Sequence, residues 1–187
     1  MDWQNITNVH SQKFQCGFCS CVVASDRGYS TGSPYNGNWG FIRICPHCAR
    51  PTFMHGDLQI PGVAPGNEVG HLPADIQALY NESRKCVAAS CYTASVLICR
   101  KLLINLAVSL KADPGKKFIE YVDYLVQQGY VPPNGRGWVD HIRKKGNEAA
   151  HEILLMSKTD AEELIVFTEM LLKFIYEFPA KVPPSSP

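Results

Sequence analysis

Two Cys-x-x-Cys pairs constrain the fold of this chain more than any other feature. The first pair is Cys16 and Cys19, the second is Cys45 and Cys48, and residues 20–44 separate them. A two-residue gap turns the chain back on itself, so both thiols of a pair can reach one metal ion. This spacing indicates a metal site rather than a disulfide framework, and therefore a reducing, cytoplasmic compartment. The pattern predicts a structural Zn²⁺ site with four cysteine ligands in a small β zinc ribbon.

The segment around these cysteines has the signals of a ribbon. It predicts short strands at 21–24, 39–44 and 51–54, with a Gly/Ser/Asn-rich loop at 25–38. Such a segment buries too little apolar surface to fold alone, so the metal would supply its folding energy. Four thiolate ligands leave no open position for catalysis, which predicts a structural or binding module. We expect Cys21 to be a strand residue and His47 an exposed knuckle residue, not ligands.

Charge and hydropathy exclude several classes of function. The net charge is +1, from 18 basic and 17 acidic residues, which argues against a strongly basic nucleic-acid clamp but leaves room for a local patch at 143–145. No run of about eighteen apolar residues occurs, so no membrane span is expected. The start of the chain, residues 1–5, lacks a basic segment followed by an apolar one, so no signal peptide is expected.

Beyond a Gly/Pro-rich linker at 59–71, the apolar period becomes helical. Helices are predicted at 72–88, 90–110, 118–128, 137–145, 147–156 and 159–179. A Thr159-x-x-Glu162 capping box would begin the last helix, and Pro179 would end it. The predicted fold class is therefore mainly α: an antiparallel helical bundle at 72–179, preceded by the zinc ribbon at 1–58 and followed by a disordered tail at 180–187.

Arg100 interrupts the most apolar predicted helix. Its neighbours three and four residues away are all apolar, so it points toward the core side, where a guanidinium needs partners. Asn147, Glu148 and His151 could supply them; equally, Arg100 could reach the edge of the core or pair with a carboxylate such as Glu162 or Glu163. The three remaining cysteines are expected to be small apolar core residues: Cys86, Cys91 and Cys99.

Three polar side chains that could take part in binding or catalysis lie close together in the run Gly146-Asn147-Glu148-Ala149-Ala150-His151. A helix starting at Asn147 would place Asn147 and His151 one turn apart on one face, with Glu148 beside them. Two interpretations stay open. The run is either a solvated helix start, with Asn147 as N-cap and His151 packed in the core, or a functional site.

The helical half resembles a known group of proteins. The runs that carry the resemblance are LPADI (72–76), YTASVLICR (92–100), GNEAAH (146–151) and FIYEFP (174–179). They resemble an uncharacterised bacterial domain that is often appended to restriction-enzyme subunits and is similar to the HEPN superfamily of helical bundles. The resemblance implies a homodimer through the bundle.

Nucleases of that superfamily are metal-independent RNases that use an Arg, usually followed by a polar residue, and then a His. His151 and Asn147 match the His and the polar residue, whereas Gly146 stands where the Arg would be. Arg143 lies one residue too far upstream. This departure favours a non-catalytic HEPN-like protein.

The leading hypothesis is a nucleic-acid-associated (RNA or DNA) or partner-binding protein, linked to restriction or phage defence, with a nuclease or restriction subunit as partner. The first alternative is an RNase at a dimer interface. In it, His151 acts as acid or base, Asn147 orients the phosphate, and Arg100 or Arg143 stabilises charge. The second alternative is a protein–protein interaction adaptor.

Overall fold

The computed structural model describes residues 2–32, 39–131 and 155–182. The chain divides into two compact units. We call Met1–Ala64 together with Ala88–Ser90 the sheet unit, and Pro65–Val87 together with Cys91–Pro187 the helical unit.

The sheet unit is a five-stranded antiparallel meander in which each strand pairs with the next along the chain. The strands are β1 (Thr7–Gln15), β2 (Val22–Thr31), β3 (Gly40–Ile44), β4 (Pro51–His55) and β5 (Leu58–Ile60). Because β1 and β3 run in the same direction, the turns that follow them lie at the same end of the sheet. Those two turns are the Cys-x-x-Cys knuckles, so the meander brings both pairs to one end.

Arg43 reaches from β3 across β2 to β1. The β1–β2 register shifts between Asn8 and Gln12, so the ladder is irregular there. The Arg43 Nη1 donates to the carbonyl oxygens of His10 at 2.6 Å and Ser25 at 3.0 Å. Burial lowers the pKa of this guanidinium. Its hydrogen bonds offset part of the cost of burying the charge and tie three strands together.

Among the residues of the sheet unit that the structure describes, few apolar side chains are buried. Its core cluster consists of Phe14, Cys16, Cys45 and Met54, with Cys19, Val23 and Cys48 packed against it. Most of these residues are the metal-ligand candidates themselves. So small a core cannot offset the entropy of ordering the segment, and the sheet unit therefore depends on its cysteine cluster.

The helical unit contains α1 (Ala74–Ala88), α2 (Tyr92–Ser109), α3 (Phe118–Gln127) and α4 (Lys158–Leu172). Helix α2 packs against α3 and α4, and its fully buried stripe includes Leu102, Leu103 and Leu106. The opposite stripe of Lys101, Asn105 and Ser109 is exposed. By length and composition α2 could also cross a membrane. Its buried stripe is what a core helix of a globular unit shows.

The last helix differs at both ends from the sequence prediction. It begins at Lys158, and Ser157 and Asp160 form its capping box, not Thr159 and Glu162. The Ser157 Oγ accepts from the Asp160 N–H at 3.2 Å, and the Asp160 carboxylate accepts from the Ser157 N–H at 2.9 Å. The chain does not stop at Pro179. It passes through a π-helical stretch, Lys173–Glu177, into α5 (Phe178–Lys181), whose first turn accommodates the proline.

The prediction of a mainly α chain built on an antiparallel helical bundle is wrong. The described residues form a five-stranded antiparallel sheet as well as helices, so the class is mixed. Strand β1 falls in a segment where the sequence predicted no strand, since Phe14 is its single buried residue and no apolar alternation marks it. Strand β2 extends to Thr31 through residues read as a loop, and β5 extends to Ile60, into residues read as a linker.

Candidate metal centre

The first knuckle follows β1 and is closed by two backbone hydrogen bonds. The Ser20 N–H donates to the Cys16 carbonyl at 2.8 Å, and the Cys16 N–H donates to the Cys21 carbonyl at 2.9 Å. Ser20 has φ of 58°, in the left-handed region. This turn returns the chain so that the thiols of Cys16 and Cys19 face the same point.

The second knuckle follows β3 and repeats the pattern. The Ala49 N–H donates to the Cys45 carbonyl at 2.9 Å, and the Cys45 N–H donates to the Arg50 carbonyl at 3.0 Å. Ala49 has φ of 55°. The Trp3 indole N–H donates to the Ala49 carbonyl at 2.8 Å, a contact that the sequence did not predict. The two knuckles are thus equivalent, position by position.

The four predicted cysteines come together at this end of the sheet. Their sulfur atoms all lie within 4.8 Å of one another; Cys16 Sγ is 3.7 Å from Cys48 Sγ, and Cys19 Sγ is 3.8 Å from Cys45 Sγ. A disulfide would need about 2.05 Å. A tetrahedral ion with metal–sulfur bonds of about 2.3 Å would place its ligands about 3.8 Å apart. The cluster therefore fits a four-thiolate metal centre.

The environment of the thiols differs within the cluster. Burial acts to raise the pKa of Cys16, but hydrogen bonds from the backbone N–H groups of Cys19 and Phe18 outweigh it, so the pKa is lowered. Burial raises the pKa of Cys19 and that of Cys48. The knuckle thus favours a thiolate at Cys16, and binding a metal ion to all four sulfurs must release protons.

Arg100, a predicted site residue, lies in the helical unit. Its guanidinium carbon is 4.4 Å from the centre of the Phe118 ring, a cation–π contact. Burial lowers the pKa of Arg100, and its buried Nη1 has no hydrogen-bond partner among the residues the structure describes. Of the carboxylates considered as partners, Glu162 is 3.6 Å from Lys158 Nζ.

The other predicted catalytic residues are Arg143, Asn147 and His151, and they lie outside the described residues. The RNase alternative therefore stays a prediction.

Of the three cysteines expected in the core, Cys99 is fully buried, Cys86 is partly buried, and the expectation for Cys91 is wrong because that residue is exposed. Cys91 follows a turn at Ser90, whose φ is 61°, and precedes the first residue of α2.

Comparisons with known proteins identify the helical half of the chain. Residues 81–186, more than half of the sequence, match the family described as "Domain of unknown function (DUF4145)". Neither the curated proteins nor the solved structures contain a match to the chain. The chain belongs to the DUF4145 family, and it carries a cysteine cluster that could hold a metal ion N-terminal to the matched residues.

Proposed function

We propose that the four cysteines hold a structural Zn²⁺ and that the sheet unit is a non-catalytic binding module for a protein partner. The observation that carries the metal assignment is the spacing of the thiols, 3.7 and 3.8 Å, at the edge length of a zinc tetrahedron. Two of the sulfur-bearing residues, Cys16 and Cys45, are fully buried. A closed tetrathiolate site of this kind stabilises a fold and offers no position to a substrate.

The binding surface that supports the proposal crosses the sheet. We call it the apolar row: Tyr29, Ile42, Phe53 and Ile60, which are successive cross-strand neighbours on β2, β3, β4 and β5. Ile42 is 39% exposed and Ile60 is 54% exposed. Side chains directly opposite each other on one face of a sheet touch, so the row is continuous.

The chemistry next to the row favours a protein partner over a nucleic acid. Phe53 stacks on His55 at 6.5 Å between ring centroids, which extends the apolar surface toward the turn before β5. The charged residues of positions 1–64 nearly balance: Lys13, Arg27, Arg43 and Arg50 against Asp2, Asp26 and Asp57. Since Arg43 is buried, few cations remain to contact phosphates. An exposed apolar row that is not flanked by many basic side chains is typical of a protein–protein contact.

The finer proposals depend on the run 146–151, which lies outside the described residues. Nucleic-acid binding, the HEPN-like RNase activity and a role in restriction or phage defence are all supported by the resemblance of residues 146–151. Homodimer formation has the same support. They are tested separately, by RNA cleavage in EDTA with and without His151→Ala, and by the oligomeric state in solution.

The metal proposal is tested by metal analysis of the full chain together with chelation. We expect at least one zinc per chain after gentle purification. Removal of the zinc should abolish the hydrogen-exchange protection of β2 to β4 while the protection of α2 and α4 persists, because the helical unit has its own apolar core. If metal analysis found iron instead of zinc in the tightly held site, the structural role would be replaced by a redox role.

The binding proposal is tested by site-specific photo-crosslinking in the native host. A crosslinker at position 60 should capture a defined protein, and one at Val22, which is 60% exposed outside the row, should not. Phe53→Ala should reduce capture at position 60 while zinc content is retained. Adducts of RNA or DNA at position 60 would move the function to nucleic-acid binding, and equal capture from both positions would contradict the proposal.

A further inference from the structure

The equivalence of the two knuckles pairs residues that lie beyond the four cysteines. Counting from the first cysteine of each knuckle, Phe18 corresponds to His47, and Cys21 corresponds to Arg50. The correspondence is structural, because Cys21 and Arg50 both accept the hydrogen bond that closes their knuckle. The third residue of each knuckle lies near the sixth residue of the other knuckle. This gives two equivalent pairs, Phe18 with Arg50 and His47 with Cys21.

The two sides carry different chemistry. On one side, the Arg50 guanidinium lies 5.1 Å from the centre of the Phe18 ring, a cation–π contact. On the other side, His47 meets Cys21. The ligand atoms of Cys19, Cys21 and His47 all lie within 4.8 Å of one another. The sequence predicted ordinary strand and surface roles for Cys21 and His47, and this juxtaposition gives them a shared one.

We propose that Cys19, Cys21 and His47 form a second metal site, which binds a zinc-class divalent ion. The site rests on the proposed first ion, since Cys19 would bridge the two. Cys21 would contribute a thiolate, releasing its proton on binding, and His47 would contribute a neutral imidazole nitrogen. The fourth position would be taken by water.

Geometry and charge both favour a second ion at this place. Two thiolates and one imidazole around a tetrahedral ion lie about 3.6–3.8 Å apart, given bonds of about 2.3 and 2.1 Å. The present spacing, within 4.8 Å, needs a closure of at most about 1.2 Å, and His47 is an exposed side chain that can move. An ion held by four thiolates leaves a net charge of about −2 on the cluster. A second cation held by Cys19, Cys21 and His47 would offset part of that charge.

The second site should be weaker and more open than the first. It has three protein ligands, one of them shared and one exposed, whereas the first has four and lies in the core of the sheet unit. Zinc sites with three protein ligands keep a position for an exogenous ligand. The second ion is therefore expected to exchange with solution and to be removed by a mild chelator before the first.

The test is a titration of the full chain, stripped of metal under reducing conditions, with Co²⁺ followed by thiolate-to-metal absorption and with Zn²⁺ followed by native mass spectrometry. The wild type should bind two equivalents, the second more weakly. Cys21→Ser and His47→Gln should each weaken the second equivalent by at least the ~10–100-fold that loss of an outer-shell partner costs, and should leave the first in place. The matched controls are Cys91→Ser and His55→Gln, which should bind two.

The outcomes distinguish failure of the second site from failure of the structural zinc. A wild type that binds a single ion overturns the second site and leaves the structural zinc standing. A wild type that binds none overturns both. Two ions in the wild type and also in Cys21→Ser and His47→Gln would place the second ion elsewhere and overturn the assignment. Cys21→Arg copies the residue at the equivalent position of the second knuckle, and it should fold, bind one ion and lose the other.

Discussion

Glu169 offers the sharpest test of how the helical unit is held together. The residue is 7% exposed, and its carboxylate accepts two hydrogen bonds from Asn67: the backbone N–H at 2.8 Å and the side-chain amide at 3.0 Å. Lys173, the first residue of the π-helical stretch that follows α4, donates through its Nζ to the same carboxylate. The carboxylate therefore fastens the segment that precedes α1 to the last helix.

The cost of Glu169→Gln follows from these contacts. The amide oxygen of Gln can replace one carboxylate oxygen, but its NH₂ group would face either the Asn67 N–H or the donors on the other oxygen. One buried donor is left unpaired, at about 1–3 kcal/mol, and the charge assistance on the remaining bonds is lost. We expect a total loss of about 3 kcal/mol in the free energy of unfolding, which is a large part of the stability of an ordinary domain.

The acid dependence of the same variant supplies an independent check. Burial alone would raise the pKa of Glu169, but the hydrogen bonds from Lys173 and Asn67 outweigh it, so the pKa is lowered. A carboxylate with a lowered pKa in the folded state stabilises fully above its ordinary pKa of about 4.3, and the contribution is lost as pH falls through the folded value. The difference between wild type and Glu169→Gln should therefore be constant above about pH 5 and shrink below it.

The assay is urea unfolding followed by circular dichroism at 222 nm, at pH 7 and at pH values between 5 and 3. The matched control is Glu162→Gln, because Glu162 lies on the same helix and pairs with Lys158 across 3.6 Å at the surface. That change should cost less than about 1 kcal/mol. The reasoning is refuted if Glu169→Gln lowers the free energy of unfolding by no more than the control does. It is also refuted if the loss caused by Glu169→Gln does not become smaller as the pH is lowered from 5 to 3.

Three further substitutions, two of them with a control variant, test the two cores and a knuckle. Arg43→Met should destabilise the sheet unit by about 2–4 kcal/mol, measured by hydrogen exchange of β1 to β3, because it leaves two carbonyl groups without their donor. Leu103→Ala should cost the helical unit about 2–5 kcal/mol in urea unfolding, and Leu97→Ala, at a position 47% exposed, should change it by less than about 1 kcal/mol. Ala49→Val should lower the apparent zinc affinity in competition with a chelator, since a β-branched residue is strained at a φ of 55°, whereas Ala49→Gly should not.

The sequence predicts this structure best where the signal is short in range. The spacing of Cys16, Cys19, Cys45 and Cys48 depends on two turns, and the structure brings these residues together. Helix α2 could be predicted because its apolar segment of 18 residues is too long for a strand. Such features need no knowledge of what the segment packs against.

Features that depend on distant partners were missed or misplaced. Strand β1 is polar along most of its length, and its place in the sheet is secured by backbone pairing and by Arg43, thirty or so residues away. The start of α4 was misplaced because Ser157 and Thr159 are each followed three residues later by an acid, so the capping signal alone fits both. The burial of Ala161, Leu164 and Ile165 accompanies the earlier start, and burial is a tertiary property.

The position of the cysteine cluster indicates how the proposed zinc would act on the proposed binding surface. The second knuckle joins the end of β3 to the start of β4, and these two strands carry Ile42 and Phe53, paired at the centre of the apolar row. The sheet unit buries little else that could hold the two strands in register. A tetrathiolate zinc would fix that register from the end of the hairpin, because a slip of one residue between β3 and β4 would put Ile42 and Phe53 on opposite faces of the sheet. The partner would then be recognised by side chains that never touch the metal, yet only while the metal is bound.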